Sequence, residues 1–258
     1  MRLMKRILSA AAVLALSASL LVGCSSGTAS SVPVSASSAA ESTVSSVEET
    51  ASSAVDENEA AAAQLLNDLT GSYQELWPVI LADEYQQTWL DDCTALVGEE
   101  NAEAAFEKLS SMVTGDVYGE DAVEAYANGG GAYFCGFTND LATLTFDGET
   151  STISGTDKDG NVLFSHTYHY IGMEPVHELY EFESDDADSG EFTYFFLAPD
   201  TSAETYHIEF RYGSDADALS QYDAGDYAYW VASGISTDCD QTMIDNCIEL
   251  FCTENLAG

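Results

Sequence analysis

The residues of this chain best suited to chemistry, His207 and Glu209, lie in the segment 205–215, Thr-Tyr-His-Ile-Glu-Phe-Arg-Tyr-Gly-Ser-Asp. Polar and apolar side chains alternate along the segment, which predicts a β-strand that Gly213 ends. His207 and Glu209 therefore share one face, roughly 6.6 Å apart along the strand. Because imidazole nitrogen and carboxylate oxygen are standard zinc donors, the pair predicts half of a metal site. The alternative is a structural histidine in the interior, with Glu209 paired to Arg211 or to solvent.

Three further histidines, His166, His169 and His177, are available as ligands. His166 and His169 are three positions apart in a predicted strand, so they point to opposite faces and one of them can face inward. His177 begins the next predicted strand, has Glu174 nearby, and could approach the same end of the β-structure as His207. His169 and His177 are the additional metal-ligand candidates. The alternative for each is a surface or structural histidine.

The other motifs of the sequence are weaker evidence for a binding site or a catalytic site. Asp157–Asn161 resembles the start of a calcium loop, but Val162 stands where that loop needs glycine, so a hairpin turn is the better interpretation. The acidic loop Glu183–Glu191 either holds calcium loosely or is simply solvated. The sequence contains no nucleophile elbow and no phosphate-binding glycine loop. We therefore expect a binding protein and not an enzyme, since a hydrolase using His207 and Glu209 as an acid–base pair would lack a nucleophile.

The first 23 residues have the pattern of a secretory leader. Three basic residues precede an apolar run over residues 7–22, which ends Leu-Val-Gly-Cys at Cys24. Small residues before a cysteine at this point resemble the lipobox of bacterial lipoproteins, in which Cys24 carries the lipid of the mature chain. The sequence thus predicts a signal peptide at 1–23 and a lipid anchor on the extracytoplasmic face of the cell membrane. The alternative is an ordinary secretory signal that contains a free cysteine.

The chain is strongly acidic. Its 45 acidic and 6 basic residues give a net charge of −39, and loss of the leader leaves 3 basic against 45 acidic residues, a charge of −42. Such a chain repels nucleic acid and anionic lipid head groups and attracts cations. The acidity is consistent with a cation as partner, although solvation alone also accounts for it.

Five cysteines remain after Cys24. An odd number outside the cytoplasm allows at most two disulfides and leaves one thiol. No Cys-x-x-Cys pair occurs, so neither a redox motif nor a zinc ribbon is indicated. We expect Cys239 to pair with a cysteine of the β-structure and not Cys247 with Cys252, which lie on different faces of one predicted helix. The five are Cys93, Cys135, Cys239, Cys247 and Cys252.

Composition divides the chain into a leader (1–23), a tether (24–57) and one domain (58–258). The tether is rich in Ser and Ala and lacks aromatic residues, so it is predicted to be disordered. The domain begins with helices and ends with an amphipathic helix, and between them the pattern has period two. Strands that follow one another on short connections predict a mainly β fold, an antiparallel barrel with helices packed on it. The predicted strands are 132–137, 141–146, 151–154, 162–170, 176–182, 192–197 and 205–212, and the last helix is Asp240–Glu254, with its N-terminal cap predicted at Ser236, Thr237 or Asp238.

The domain resembles the ZinT (YodA) family, the lipocalin-like (calycin) zinc-binding domains of the bacterial envelope. The resemblance covers about residues 65–255. It rests on Gly71–Leu81, on Tyr180–Glu183, on the Ala198-Pro199 corner, on the strand that contains His207, and on the closing helix. It implies a calycin barrel, zinc as ligand, and association with a zinc ABC importer.

The metal ligands are where this chain departs from the family pattern, which has one histidine before the Ala-Pro corner and a His-x-His pair before Gly-x-Asp. Alignment on Gly213 makes the pair His207 and Glu209 and puts Phe195 at the earlier histidine position. The resemblance thus implies an extracytoplasmic lipoprotein that captures zinc or another divalent metal for an ABC importer, with His169 or His177 as substitute ligand. The alternative is a small-ligand module, with an aromatic-lined barrel mouth, that has lost the metal.

Overall fold

A computed structural model describes residues 57–198 and 207–257 of the protein. The predicted signal peptide, Cys24, nearly all of the predicted tether and the segment 199–206 lie outside these residues. The domain boundaries drawn from composition therefore stay predictions. Within the described ranges, no helix is long and apolar enough to cross a membrane.

Helices lie at both ends of the described part of the chain, and the strands lie mainly between them. The helices are α1 (57–68), α2 (Leu76–Ile80), α3 (Gln86–Val97), α4 (Ala102–Val113), α5 (Glu120–Ala127), α6 (Ala216–Leu219) and α7 (Gln241–Leu256). The strands are β1 (Gly71–Glu75), β2 (Thr143–Asp147), β3 (Thr152–Thr156), β4 (Val162–Met173), β5 (Tyr180–Ser184), β6 (Tyr194–Leu197), β7 (His207–Gly213) and β8 (Ala232–Ser236).

The strands form one closed antiparallel barrel in the order β1 to β8. Each strand pairs with the next along the chain, and β1 closes the barrel by pairing with β8, where Tyr73 lies opposite Ser236. Closure removes the exposed sheet edges that an open meander would leave. The barrel with helices at both ends confirms the predicted mainly β fold, the calycin-like architecture that the ZinT resemblance implied.

Two predictions about the strands were wrong. The segment 132–137 is not a strand: Phe134 forms isolated bridges with Thr114 and Trp230 instead. The two strands that close the barrel, β1 and β8, were not predicted as strands. β8 reads Ala-Ser-Gly-Ile-Ser and is buried over its first four residues, so it lacks the alternation that marks a half-exposed strand.

The N-terminal cap of the last helix also differs from the prediction. The sequence indicated a cap within residues 236–238, but Ser236 ends β8. The cap of α7 is Asp240, whose carboxylate accepts the backbone N–H of Met243 at 3.0 Å. The cap moves because the barrel takes residues up to 236 as its closing strand.

Aromatic side chains fill the barrel interior. Tyr168 on β4 and Phe195 on β6 meet at a ring-centroid distance of 5.4 Å, although β5 separates their strands. Rings on non-adjacent strands can meet in this way only across the interior. Phe210 on β7 joins them, since its centroid lies 6.3 Å from that of Phe195. Among the described residues, aromatic rings therefore pack against one another in the interior.

The flanking helices pack on the outside of the barrel through aromatic residues. Trp77 of α2 and Trp89 of α3 both contact Phe251 of α7, with ring centroids 4.8 and 5.9 Å away. The Trp89 indole N–H donates to the carbonyl of Ile80 at 2.7 Å, which ties α3 to the end of α2. This helical layer covers the barrel beside β1 and β8.

Candidate functional site

The predicted metal donors lie on the outer side of the barrel wall. Phe195 pairs directly with Tyr212, and both rings belong to the interior. Because side chains alternate along a strand, Phe210 and Tyr212 point inward, whereas His207 and Glu209 point away from the interior. The structure therefore places the pair on one face of β7, beneath the layer that covers the outside of the barrel.

Both side chains are shielded from solvent. His207 is 5% exposed and Glu209 is 8% exposed. On the adjacent strand β8, His207 lies opposite Ile235 and Glu209 lies opposite Ser233. A carboxylate that is removed from water attracts a cation more strongly than one on the surface, because the local dielectric constant is lower.

Cys135 is a neighbour of Glu209 that the sequence did not indicate. The segment around it runs beside β8, where the backbone N–H of Ser233 donates to the carbonyl of Cys135 at 3.0 Å. Burial raises the pKa of the Cys135 thiol and the charge of Glu209 raises it further, while Ser233 and Trp77 act in the opposite direction. Burial and the charge of Glu209 thus both favour the protonated form of the Cys135 thiol.

Arg211, the next outward residue of β7, is held by the layer outside the barrel. Its guanidinium lies 4.2 Å from the ring centroid of Tyr222. It donates hydrogen bonds to the backbone carbonyls of Leu219 and Tyr227, and to that of Gln221 at 3.2 Å. Burial lowers the pKa of Arg211, and Tyr222 acts against that shift. These contacts fasten the residues after α6 onto the outer face of β7.

His169 lies on another part of the barrel. It is opposite Glu183 on the outer side of β4, its side chain is 52% exposed, and its Nδ1 is 2.8 Å from Asp185 Oδ1. Three strand spacings separate β4 from β7, about 14 Å. The structure does not bring His169 to the pair on β7. His166 faces the opposite side of β4 and has its own partner, with Nδ1 2.7 Å from Asp186 Oδ2.

His177 was predicted at the start of a strand, but it lies in the turn between β4 and β5. It is 5% exposed, its Nδ1 is 3.5 Å from Glu174 Oε2, and its ring contacts Tyr222. Burial acts to raise the pKa of Glu174, but hydrogen bonds from His177 and Val176 outweigh it and leave that pKa lowered. Tyr222 thus contacts both His177 and Arg211, which makes His177 part of the packing outside β7.

The described residues do not complete a zinc site around His207 and Glu209. In the ranges 57–198 and 207–257, no three His, Cys, Asp or Glu side chains come together as a ligand group. Zinc takes three protein ligands in open sites and four in closed ones. Phe195, the position aligned with a family ligand, faces the other side of the barrel wall. The pair supplies suitable donors, but the three-histidine arrangement implied by the resemblance does not fit these residues.

A cleft of about 330 Å³ is lined in part by Cys135, the neighbour of Glu209. The indole N–H of Trp77 is buried at its wall and makes no hydrogen bond of normal geometry within the described residues. The carboxylate of Glu75 also lines the cleft, and its Oε1 accepts the backbone N–H of Phe137 at 2.6 Å. The remaining lining residues are mostly apolar: Pro78, Leu81, Val113, Thr114, Gly115, Phe134, Cys135 and Gly136.

Comparison with known proteins found no matching family model and no matching curated protein. Among solved structures, the chain is similar to the Zn(II)-bound ZinT-like domain of Streptococcus pneumoniae AdcA, at 15% identity and a TM-score of 0.45. That similarity covers 71% of this chain and 89% of that domain. Zn(II)-bound AdcA from Streptococcus pneumoniae is similar at 13% identity and a TM-score of 0.43, and this chain covers 35% of its length. At this level, the similarity transfers neither ligand nor activity.

Two features of the site could not be found by sequence reasoning. Cys135 reaches Glu209 only because its segment extends the pairing along β8, and no local pattern signals that placement. In the sequence, Trp77 is one residue of the segment Gly71–Leu81, and only the packing around it buries its N–H.

Proposed function

We propose that this chain is an extracytoplasmic binding module for a divalent metal ion, zinc first, with His207 and Glu209 as its protein donors. One observation supports the proposal above others: a neutral and an acidic donor share the buried outer face of β7. The charge of −39 draws cations toward the surface and so favours their capture. His169 and His177 are not part of this proposal, because each has an acidic partner in its own region.

With two protein donors, the other coordination positions of the zinc ion are open to water or to a donor from another protein. Binding is then weaker than at a closed site, and the metal can leave. Exchangeable binding suits a module that passes its metal on, so we extend the proposal to transfer to an ABC importer, with Cys24 as the lipid anchor. The importer and the anchor rest on the leader pattern and the family resemblance.

Titration of zinc into the purified protein by calorimetry tests the donors. His207→Ala should abolish stoichiometric binding, and Glu209→His should tighten it, because imidazole is a strong zinc donor. Binding should weaken as the pH falls through about 6.5 to 5.5, since protons compete for an imidazole nitrogen. His169→Ala is the matched control, a histidine with acidic neighbours on another strand, and it should bind like the wild type.

Equal binding by the wild type and His207→Ala would refute the assignment. It would mean that the acidic surface, and not this face of β7, holds the metal. Loss of binding in His169→Ala would move the site to the β4–β5 region.

A second candidate function is the binding of a small organic molecule in the cleft beside Trp77. The indole N–H of Trp77 favours it, since its neighbour among the described residues is the Cys135 thiol, and sulfur is a weak hydrogen-bond acceptor. A ligand with an acceptor oxygen would give this N–H a stronger hydrogen bond. The volume of about 330 Å³ is at the lower end of known ligand sites, so the ligand would be small.

Benzamide, a neutral ring with a carbonyl acceptor, is a suitable probe of the cleft. Saturable binding that Trp77→Phe weakens would support the site, because that variant keeps an aromatic ring and removes the N–H. Trp89→Phe is the control, since its N–H already donates to Ile80. Binding that neither variant changes would place the ligand elsewhere.

A further inference from the structure

Two cysteines that are far apart in the sequence meet between the helices outside the barrel. Cys93 on α3 and Cys252 on α7 bring their sulfur atoms to 4.0 Å, and both residues are fully buried. The two helices also meet through Trp89 and Phe251, whose ring centroids are 5.9 Å apart. The packing that joins the helices therefore also aligns the thiols.

This pair differs from the pairing that the sequence suggested. Cys239 was expected to bond a cysteine of the β-structure, for which Cys135 is the candidate. Cys135 instead lies beside Glu209 and Trp77, while Cys239 is a neighbour of Cys247. No disulfide joins Cys93 to Cys252 in this structure.

We propose that Cys93 and Cys252 form a disulfide in the mature protein. The sulfur atoms must approach from 4.0 Å to about 2.05 Å, a movement that side-chain rotation within the helix interface can supply. Each thiol loses its proton and the pair loses two electrons. An external disulfide, such as that of a thiol–disulfide oxidoreductase, accepts the electrons and becomes two thiols. The leader predicts export to a compartment where such oxidants act.

Burial dictates when the bond forms. It raises the pKa of both thiols, so little thiolate is available once the helices have packed. Oxidation therefore occurs during folding, before α7 is fully packed, and the finished bond is protected from reductants. The bond ties α7 to α3, and β2 to β8 lie between them in the chain.

Digestion with trypsin without a reductant reads the pairing directly. Outside the leader, basic residues occur only at Lys108, Lys158 and Arg211, so the fragments separate the cysteines. Exported full-length protein, alkylated before digestion, should give fragment 24–108 joined to fragment 212–258. Fragment 109–158, which holds Cys135, should run alone and alkylated.

Single substitutions identify which cysteine of fragment 212–258 bonds to Cys93, since this fragment also holds Cys239 and Cys247. Cys252→Ser should release fragment 24–108, whereas Cys239→Ser and Cys247→Ser should leave it joined. Separate fragments in the wild type would overturn the proposal, as would fragment 109–158 joined to 212–258 while fragment 24–108 runs alone. A reductant present throughout urea unfolding should lower the midpoint of the wild type, because the unfolded chain exposes the bond, but should not change the midpoint of Cys93→Ser.

Discussion

The substitution Phe195→His tests on which side of the barrel wall metal donors can act. By alignment it restores the family histidine, so sequence reasoning alone predicts tighter zinc binding. In the structure, Phe195 is fully buried and faces Tyr168, Tyr212 and Phe210 in the interior, with ring centroids 5.4, 5.4 and 6.3 Å away. An imidazole at this position cannot reach Glu209 through the wall.

The cost of the change follows from those contacts. The variant loses the packing of a buried aromatic ring and encloses a polar ring among aromatic neighbours, which together should cost about 3–5 kcal/mol of unfolding free energy. Phe195→Leu is the matched control: it loses the ring but adds no polar atom, and should cost only about 1–2 kcal/mol. Zinc affinity should be unchanged in the Leu variant and no better than wild type in the His variant.

Urea unfolding gives the stability and calorimetry gives the affinity. Tighter zinc binding by Phe195→His, at a stability close to that of the wild type, would refute the reasoning. It would show that position 195 shares a face with the donors on β7, and the strand register described above would then be wrong.

Three further predictions concern the layer outside β7 and the anchor. Arg211→Met should lower the unfolding free energy in urea by about 3 kcal/mol, because three backbone carbonyls lose their donor and Tyr222 loses its cation. The pKa of Glu174 is lower in the folded protein than in the unfolded chain, so this residue stabilises the fold above its unfolded pKa of about 4.3. That contribution to stability is lost as the pH falls through the folded pKa. Glu174→Gln should therefore flatten the acid side of a pH–stability curve, and an unchanged curve would count against the contact with His177. Cys24→Ser should leave the leader uncleaved or release the protein from membranes in a fractionation assay, whereas wild-type protein found only in the soluble fraction would exclude the anchor.

Local patterns determined much of this fold. Alternation along 205–213 predicts a strand with His207 and Glu209 on one face, because the side-chain period of a strand is a property of its own backbone. The same argument located β2 to β7, and the apolar stripe of α7 follows from helical periodicity. The acidic charge and the leader-like pattern of the first 23 residues are likewise properties of the sequence alone.

Only the tertiary structure decided which face of each strand is inside. A period of two separates two faces but does not say which one meets the core, and that depends on barrel closure by β1 and β8, whose sequences carry little alternation. Closure turned Phe195 inward and His207 outward. Long-range packing likewise brings Cys135 to Glu209 and Cys93 to Cys252. No local pattern indicates which distant segments will become neighbours.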